Sequence, residues 1–253
     1  MCGISGIINH NKQPIKEQDI KLMMKKIKHR GPDDEGLYID KNVGLGFVRL
    51  SILDLSEKGH QPMFSHDGNL VIIFNGEVYN YIEIKDELKN DFEFKTGTDT
   101  EVIIAAYQKW GEKCLDKFNG MFSFVIYNIN TKEIFGARDR FGIKPFYYFN
   151  DDENFIFASE LKAILPFINR EPNDSIIADY LLYNRVDHTN ETFFKNIFKL
   201  PHGSSFILKD NKFVKKKWYS LSEKIKNSTK INKYEYRQLF INSLMLRQRA
   251  DVP

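Results

Sequence analysis

The residues with the clearest chemical potential stand at the start of the chain: Met1-Cys2-Gly3-Ile4-Ser5-Gly6-Ile7-Ile8. A small side chain at position 2 favours removal of the initiator methionine. That leaves a nucleophilic thiol and a free α-amine on one residue. The amine has an ordinary pKa of roughly 8, close to that of the thiol. It can take the thiol proton directly or through one water, so the nucleophile carries its own base and needs no histidine. A Met-Cys start alone has a plain reading, because many chains carry a small residue after Met1. The glycines on either side add weight. Gly3 and Gly6 let backbone or ligand approach closely, and the apolar residues between them predict a buried strand over 2–9. A buried strand that begins with its own nucleophile suits a hydrolase.

Three further positions admit a chemical reading beside a structural one. Arg49 ends the apolar strand predicted over 43–50. Such an arginine is usually a solvated tip, but its rigid fork could also meet a substrate carboxylate. Asn75-Gly76 follows the continuous apolar run Leu70-Val71-Ile72-Ile73-Phe74, which reads as a strand covered on both faces. Asn-Gly is ordinarily a hairpin signal, yet the next segment reads as a helix carrying Ile84 and Leu88. Asn80 and Glu83 are placed as its capping pair. Asn75-Gly76 is therefore expected on a strand-to-helix turn above a buried sheet. There an Asn amide and a Gly N–H can both point at one oxygen, which is what an oxyanion hole requires. Asp99 falls in the first turn of a helix opened by Thr98 and Glu101 as a capping box. The helix dipole explains it structurally; the alternative is a carboxylate that pairs with a substrate ammonium.

These positions must be held by a layered scaffold. Lys16 to Lys28 reads as a helix with Ile20, Met23, Met24 and Ile27 on one face, a core stripe. Residues 29–36 read as a charged surface loop broken by Gly31-Pro32. Strands are expected over 36–40, 43–50, 121–127, 133–137, 146–149 and 154–158, with a charged loop over 138–145. Ser159 is expected to cap a short helix through Leu165. This alternation predicts an α+β domain. The texture changes near 166, where Pro166, Pro172 and Asn173 mark a boundary. A helix from Asp174 with Ile176, Ile177, Tyr180 and Leu181 follows, then a hairpin over 204–208 and 212–218. A last helix over 231–249 carries the stripe Tyr236, Leu239, Phe240 and Leu244, with little left in the chain to cover it.

Composition narrows the function classes. The chain has 253 residues, with 42% hydrophobic and 28% charged residues, ordinary for a globular protein. Its 21 Phe and 12 Tyr allow a large core. Net charge is +3, and the longest basic run, Lys215-Lys216-Lys217, reads as a solvated face, so no nucleic-acid partner is expected. No apolar run is long enough for a membrane span and no secretory signal is read. Cys2 and Cys114 make no disulfide framework, which fits a cytoplasmic location; Cys114 reads as a packed hydrophobe. The six histidines are scattered, no metal signature appears, and there is neither a P-loop nor a dinucleotide fingerprint.

Taken together, these segments resemble the class II glutamine amidotransferase domain of glutamine-hydrolysing asparagine synthetases, members of the N-terminal-nucleophile hydrolases. The resemblance is carried by Met-Cys-Gly-Ile at 1–4, His-Arg-Gly-Pro-Asp at 29–33, Arg-Leu-Ser-Ile at 49–52 and Asn-Gly-Glu-Val-Tyr-Asn at 75–80. It continues in Thr-Gly-Thr-Asp at 96–99, Arg-Asp-Arg-Phe-Gly-Ile-Lys-Pro at 138–145, Phe-Ala-Ser-Glu at 157–160, Leu-Pro-His-Gly at 200–203 and Ala-Asp-Val-Pro at 250–253. The joint order and spacing are specific where each motif alone is not. The resemblance implies a four-layer αββα sandwich of antiparallel sheets. It implies Cys2 as nucleophile with its α-amine as base, and Asn75 and Gly76 as oxyanion hole. Arg49 would meet the glutamine α-carboxylate and Asp99 its α-ammonium. Leu50, Ser51, Ile52, Leu53 and Glu77 would complete the pocket.

The same resemblance divides the chain into a glutaminase core over 1–165, the rest of that domain and a linker over 166–220, and the first helix of a synthetase domain over 221–253. The family's Ser-Gly-Gly-Leu-Asp-Ser loop, which serves ATP, is expected just beyond. ATP and Mg2+ are thus expected only for that absent domain, and no cofactor or metal for the glutaminase half. The expected partners are glutamine and a synthetase domain, in cis or in trans, with dimerisation through the stripe at 236–244. Two alternatives remain: an amidotransferase for another acceptor, such as a surface-polysaccharide sugar, or a non-catalytic interaction module.

Overall fold

The computed structural model describes residues 1–252. Twelve strands form two six-stranded sheets, every pairing antiparallel. In chain order the elements begin with β1 (Gly3–Asn9), α1 (Glu17–Ile27), β2 (Asp34–Asp40), β3 (Val43–Arg49), β4 (Met63–Phe64) and β5 (Leu70–Val78). They continue with α2 (Tyr81–Leu88), α3 (Asp99–Trp110), α4 (Cys114–Lys117), β6 (Gly120–Asn128), β7 (Ile134–Arg138), β8 (Tyr147–Asn150) and β9 (Asn154–Ala158). The rest comprises α5 (Leu161–Ile164), α6 (Asp174–Tyr183), β10 (Ile197–Lys199), β11 (Ser204–Lys209), β12 (Lys212–Lys217), α7 (Leu221–Lys226) and α8 (Lys233–Arg247). One sheet runs β10-β8-β9-β1-β3-β2 and the other β12-β11-β7-β6-β5-β4.

Three apolar layers hold these elements, and they follow from the sequence pattern. Between the sheets lie Ile4, Val71, Ile73, Val125, Phe146, Phe155, Phe157 and Phe206, all buried. Burying each such side chain is worth roughly 1.5–3 kcal/mol, so this layer is a main source of stability. On the outer face of the first sheet, α1 lays down Ile20, Met23, Met24 and Ile27, the stripe expected from helical spacing. Its acidic first turn (Glu17, Asp19) and basic last turn (Lys25, Lys26) suit the helix dipole. On the outer face of the second sheet, Ile84 and Leu88 of α2 and Val102, Ile103 and Ala106 of α3 pack over β5 and β6. The order helix, sheet, sheet, helix is the expected αββα sandwich. Cys114 is fully buried within the α2–α3 layer, as a packed hydrophobe.

Several local expectations change in the folded chain. Asn75-Gly76 lies inside β5, with Asn75 opposite Ser123 and Gly76 opposite Phe122. The long ladder with β6 offers main-chain partners up to Val78, and that overrides the turn preference of Asn-Gly. Asn80 does not cap α2. Its amide donates to the Lys117 carbonyl at 2.9 Å and accepts from Asn119 N at 2.8 Å, tying the end of β5 to the entry of β6. Glu83 pairs instead with Arg249. Thr98 does cap α3, accepting from Glu101 N, but the Glu101 carboxylate turns to Lys95 N and Thr96 N. Ser159 accepts from Ile4 N at 3.0 Å and so bridges β9 to β1 rather than capping α5. Within the expected loop over 29–36, β2 begins at Asp34.

Residues 197–217 add β10 to one sheet and the β11–β12 hairpin to the other. The stripe of α8 stays exposed, with Tyr236 63% and Leu239 59% accessible. Pro253, the last residue of the Ala-Asp-Val-Pro stretch, lies outside the described residues. No described helix is long and apolar enough to cross a membrane.

Candidate functional site

β1 is a central strand, flanked by β9 and β3, and it delivers Cys2 to the end of the sandwich. The main chain beside the thiol is fixed from two sides. Arg30 Nε donates to the Cys2 carbonyl at 2.9 Å, and Arg30 Nη1 to Glu160 Oε1 at 3.0 Å. Ser159 holds Ile4 N from the other side. The Cys2 Sγ donates to the Leu50 carbonyl at 3.5 Å and accepts from Leu50 N at 3.4 Å. Burial pushes the thiol above its ordinary pKa, and the contact with Leu50 N pulls the other way. Met1 lines the same cavity and is half-exposed.

Cys2, Arg49, Leu50, Ile52, Leu53, Asn75, Gly76, Glu77 and Asp99 line one cavity. Ser51 does not. Its N–H donates to Asp33 Oδ2 at 2.7 Å, and the residue faces a neighbouring surface depression. Asn75 is fully buried, and neither its amide nitrogen nor its oxygen has a partner among the described residues. Leaving such a group unpaired costs about 1–3 kcal/mol, which makes Asn75 a candidate ligand-binding group. Gly76 has φ 157°, and a Cβ there would strike the Met121 carbonyl and the Phe122 backbone of β6. Only glycine lets the two strands meet at this point.

Arg49 and Asp99 stand at the same cavity, as do Glu77 and Lys144. Arg49 is buried at the end of β3. Its Nη1 donates to the Ser56 carbonyl at 2.8 Å and its Nη2 to the Leu53 and Asp54 carbonyls at 3.2 and 2.5 Å. That leaves part of the fork for an anion, while the rest organises the loop over 50–56. Gly59 passes so close that any side chain there would collide with the guanidinium. Asp99 lies in the first turn of α3 and accepts from Val78 N at 2.9 Å. Burial raises its carboxyl to about 7; the Val78 N–H opposes that and the charge of Glu77 adds to it. Burial likewise pushes Glu77 above the usual carboxylate range, with Lys144 opposing.

Gln61 and Lys144 are among the cavity residues that escaped sequence reasoning. Gln61 is buried, accepts from Phe74 N at 2.7 Å and donates to Thr100 Oγ1 at 3.2 Å, so it spans β5 and α3. Lys144 belongs to the charged loop expected over 138–145. In the fold Asp139 is fully buried and its carboxylate accepts from the main-chain N–H groups of Phe122, Phe141, Ile143 and Lys144. Arg138 donates to the carbonyls of Gly142, Lys144 and Leu200. The loop turns inward around these two charges and presents Lys144, only 4% exposed, to the cavity. Burial lowers its ammonium pKa, while Glu77 and Cys2 act to raise it. The available signal was Arg-Asp followed by Gly and Lys-Pro, which a motif reading records without saying which way the lysine points.

Among the described residues no cluster of three or more His, Cys, Asp or Glu side chains is placed to hold a metal ion. What the cavity assembles is a thiol, an unpaired amide, two cations (Arg49 and Lys144) and two carboxylates (Asp99 and Glu77). That set can bind a free amino acid by its two charged ends and present an amide carbonyl to sulfur.

Residues 1–219 match the family model of the glutamine amidotransferase domain, and the chain belongs to that family. Among curated relatives it is 42% identical to the putative glutamine-hydrolysing asparagine synthetase 2 of Methanocaldococcus jannaschii, over all of this chain and 53% of that protein. It is 38% identical to the glutamine-hydrolysing asparagine synthetase 1 of Bacillus subtilis, over all of this chain and 41% of that protein. The chain thus spans about half the length of these relatives. Among solved structures, a glutamine phosphoribosylpyrophosphate amidotransferase from Bacillus subtilis, complexed with ADP and GMP, superposes with a TM-score of 0.64 at 18% identity. That match covers 86% of this chain and 49% of the other, and it shows a shared fold of two antiparallel sheets with flanking helices.

Proposed function

We propose that this chain is the glutaminase part of a glutamine-dependent asparagine synthetase, releasing ammonia for a synthetase domain that amidates ATP-activated aspartate. The observation that carries it is the single cavity at which Cys2 meets the unpaired Asn75, with Arg49 and Asp99 at the same walls. In this reading Met1 is removed and the Cys2 α-amine takes the thiol proton. The thiolate attacks the side-chain carbonyl of glutamine. The developing oxyanion is met by the Asn75 amide and the Gly76 main chain. The protonated α-amine gives its proton to the leaving nitrogen, and ammonia departs from a γ-glutamyl thioester. Water, activated by the same amine, then releases glutamate and restores the thiol.

Arg49 takes the α-carboxylate and Asp99 the α-ammonium, and these two charges select a free amino acid over a peptide amide. The main chain around Leu50, Ile52 and Leu53, together with Glu77, completes the pocket. Residues 1–165 and 166–220 together form the glutaminase domain, a reading supported by the strands that 197–217 add to both sheets. Residues 221–253 begin the synthetase domain. ATP and Mg2+ serve that domain, and no step above uses them. The location is cytoplasmic, and the exposed stripe of α8 is the surface for the synthetase domain or for a second copy.

The test is intact mass before and after treatment with the diazo-ketone analogue of glutamine, alongside a glutaminase assay. Loss of Met1, one adduct blocked by free glutamine, and no adduct on Cys2→Ala are expected. Equal activity of trimmed and untrimmed protein would overturn the α-amine mechanism. A Cys2→Ala protein that still hydrolyses glutamine would overturn the enzyme reading.

A further inference from the structure

The loop over 50–56 forms one wall of the cavity and has no regular secondary structure. Arg49 organises it from the inside, and the chain just beyond α8 grips it from the outside. Asp251 Oδ2 accepts from Asp54 N at 2.7 Å, and Asp251 N donates to the Ile52 carbonyl at 2.9 Å. Two residues earlier, Arg249 makes a two-armed contact with Glu83, 2.6 Å on each arm, and donates to the Tyr79 carbonyl at 2.8 Å. The Arg247 guanidinium lies over the Tyr79 ring, 4.8 Å from its centre.

These contacts join two walls of one pocket. Ile52 lines the cavity, and the Asp54 carbonyl is a partner of Arg49, so residue 54 takes Asp251 on its N–H and Arg49 on its C=O. The Asp54 carboxylate also accepts from Gly97 N at 2.8 Å, in the turn before α3. On the other side, Tyr79 follows Val78, whose N–H holds Asp99, and it is two residues from Glu77. The segment 249–251 therefore fixes the spacing between the Arg49 wall and the Asp99 wall. It lies outside residues 1–219, where the family match ends.

We propose that Asp251 and Arg249 are positioning residues for the glutamine pocket, clamping the loop over 50–56 against the end of β5 so that the two charged ends of the substrate are met at once. The proposal rests on the glutamine reading of the site. The clamp touches neither Cys2 nor Asn75, so it sets affinity for the amino-acid end and leaves the reactivity of the thiol alone. It also gives the segment that follows α8 a direct hold on the pocket.

The test uses the whole chain with Met1 removed, comparing wild type with Asp251→Ala, Asp251→Asn, Arg249→Ala, Glu83→Ala and the Arg249→Ala/Glu83→Ala pair. Readouts are KM and kcat for glutamine, and the rate of Cys2 alkylation by the diazo-ketone analogue against that by iodoacetamide. Loss of a net hydrogen bond predicts that Asp251→Ala raises KM and slows diazo-ketone alkylation about fivefold to tenfold. kcat and the iodoacetamide rate stay within about twofold. Asp251→Asn keeps most of the affinity, since its amide oxygen still accepts from Asp54 N. Arg249→Ala raises KM in the same way, Glu83→Ala alone raises it less because Arg249 keeps the Tyr79 carbonyl, and the pair costs no more than Arg249→Ala. Unchanged KM in Asp251→Ala, or equal slowing with both reagents, overturns the clamp. A wild-type chain that iodoacetamide alkylates and the diazo-ketone does not would overturn the glutamine reading, and the clamp with it.

Discussion

Replacing Asp99 by asparagine should make the empty protein more stable and a worse glutamine binder, and the two effects have separate pH signatures. The carboxyl is held at about 7 against an ordinary 3.8, mainly by burial. A gap of about 3 units corresponds to about 4 kcal/mol at 1.36 kcal/mol per unit. The folded-state pKa is raised, so between pH 4 and 7 the folded chain holds more protons than the unfolded one, and stability falls as pH rises through that window. Above it the wild type carries the full cost of a buried carboxylate. Asp99→Asn carries none, and its amide oxygen still accepts from Val78 N. Urea unfolding should show the variant about 2–4 kcal/mol more stable at pH 8.5, with the difference shrinking towards pH 4.5.

Recognition runs the other way. A charge-assisted contact is worth about 1.5–3 kcal/mol, so glutamine should bind Asp99→Asn about 10- to 150-fold more weakly at pH 8. The clean measurement is calorimetric titration of glutamine into the Cys2→Ala background, where no chemistry follows binding. With Asp99 intact, affinity should fall about tenfold per pH unit below 7, as the carboxylate is protonated; in the Asp99→Asn variant that slope should vanish. A variant no more stable at pH 8.5 would refute the buried-carboxylate reasoning, and an Asp99 protein whose glutamine affinity is flat from pH 6 to 8 would refute the assignment of Asp99 to the ammonium.

Two other expectations concern the reacting end of the pocket. Asn75→Ala should lower kcat about 100- to 1000-fold with KM within about threefold, since the lost donor acts on the oxyanion. Steady-state kinetics with an equal loss in KM would show that Asn75 merely binds substrate. Lys144→Met should move Cys2 alkylation by iodoacetamide to higher pH, because removing a buried cation beside the thiol favours its neutral form; an unshifted pH profile with slowed turnover would assign Lys144 to packing instead.

Much of the scaffold could be read from periodicity. The α1 stripe and the apolar run at 70–74 are one-dimensional signals of burial, and burial is what the layers then deliver. The motif order pointed to Cys2, Arg49, Asn75, Gly76 and Asp99, and all of them line one cavity. Local rules failed where a distant partner outbid the nearest one. Asn80 took carbonyl and N–H groups near 117–119, Ser159 took Ile4, and Glu83 took Arg249. Asn75-Gly76 stayed extended because β6 supplied a ladder that no local window can see.

What the sequence determined by itself was the kind of chemistry and most of its agents, because nucleophile, amide donor, cation and carboxylate are properties of residue type. Only the tertiary structure decided which charged residues face the cavity. Lys144 turns inward because Asp139 and Arg138 are buried and must satisfy their charges on nearby main chain. Ser51 turns away because Asp33 holds its N–H. The 7 of Asp99, the unpaired amide of Asn75 and the grip of Asp251 on the loop over 50–56 depend on desolvation and on contacts between residues far apart in the chain. Those are sums over neighbours in space, and a sequence orders its neighbours only along a line.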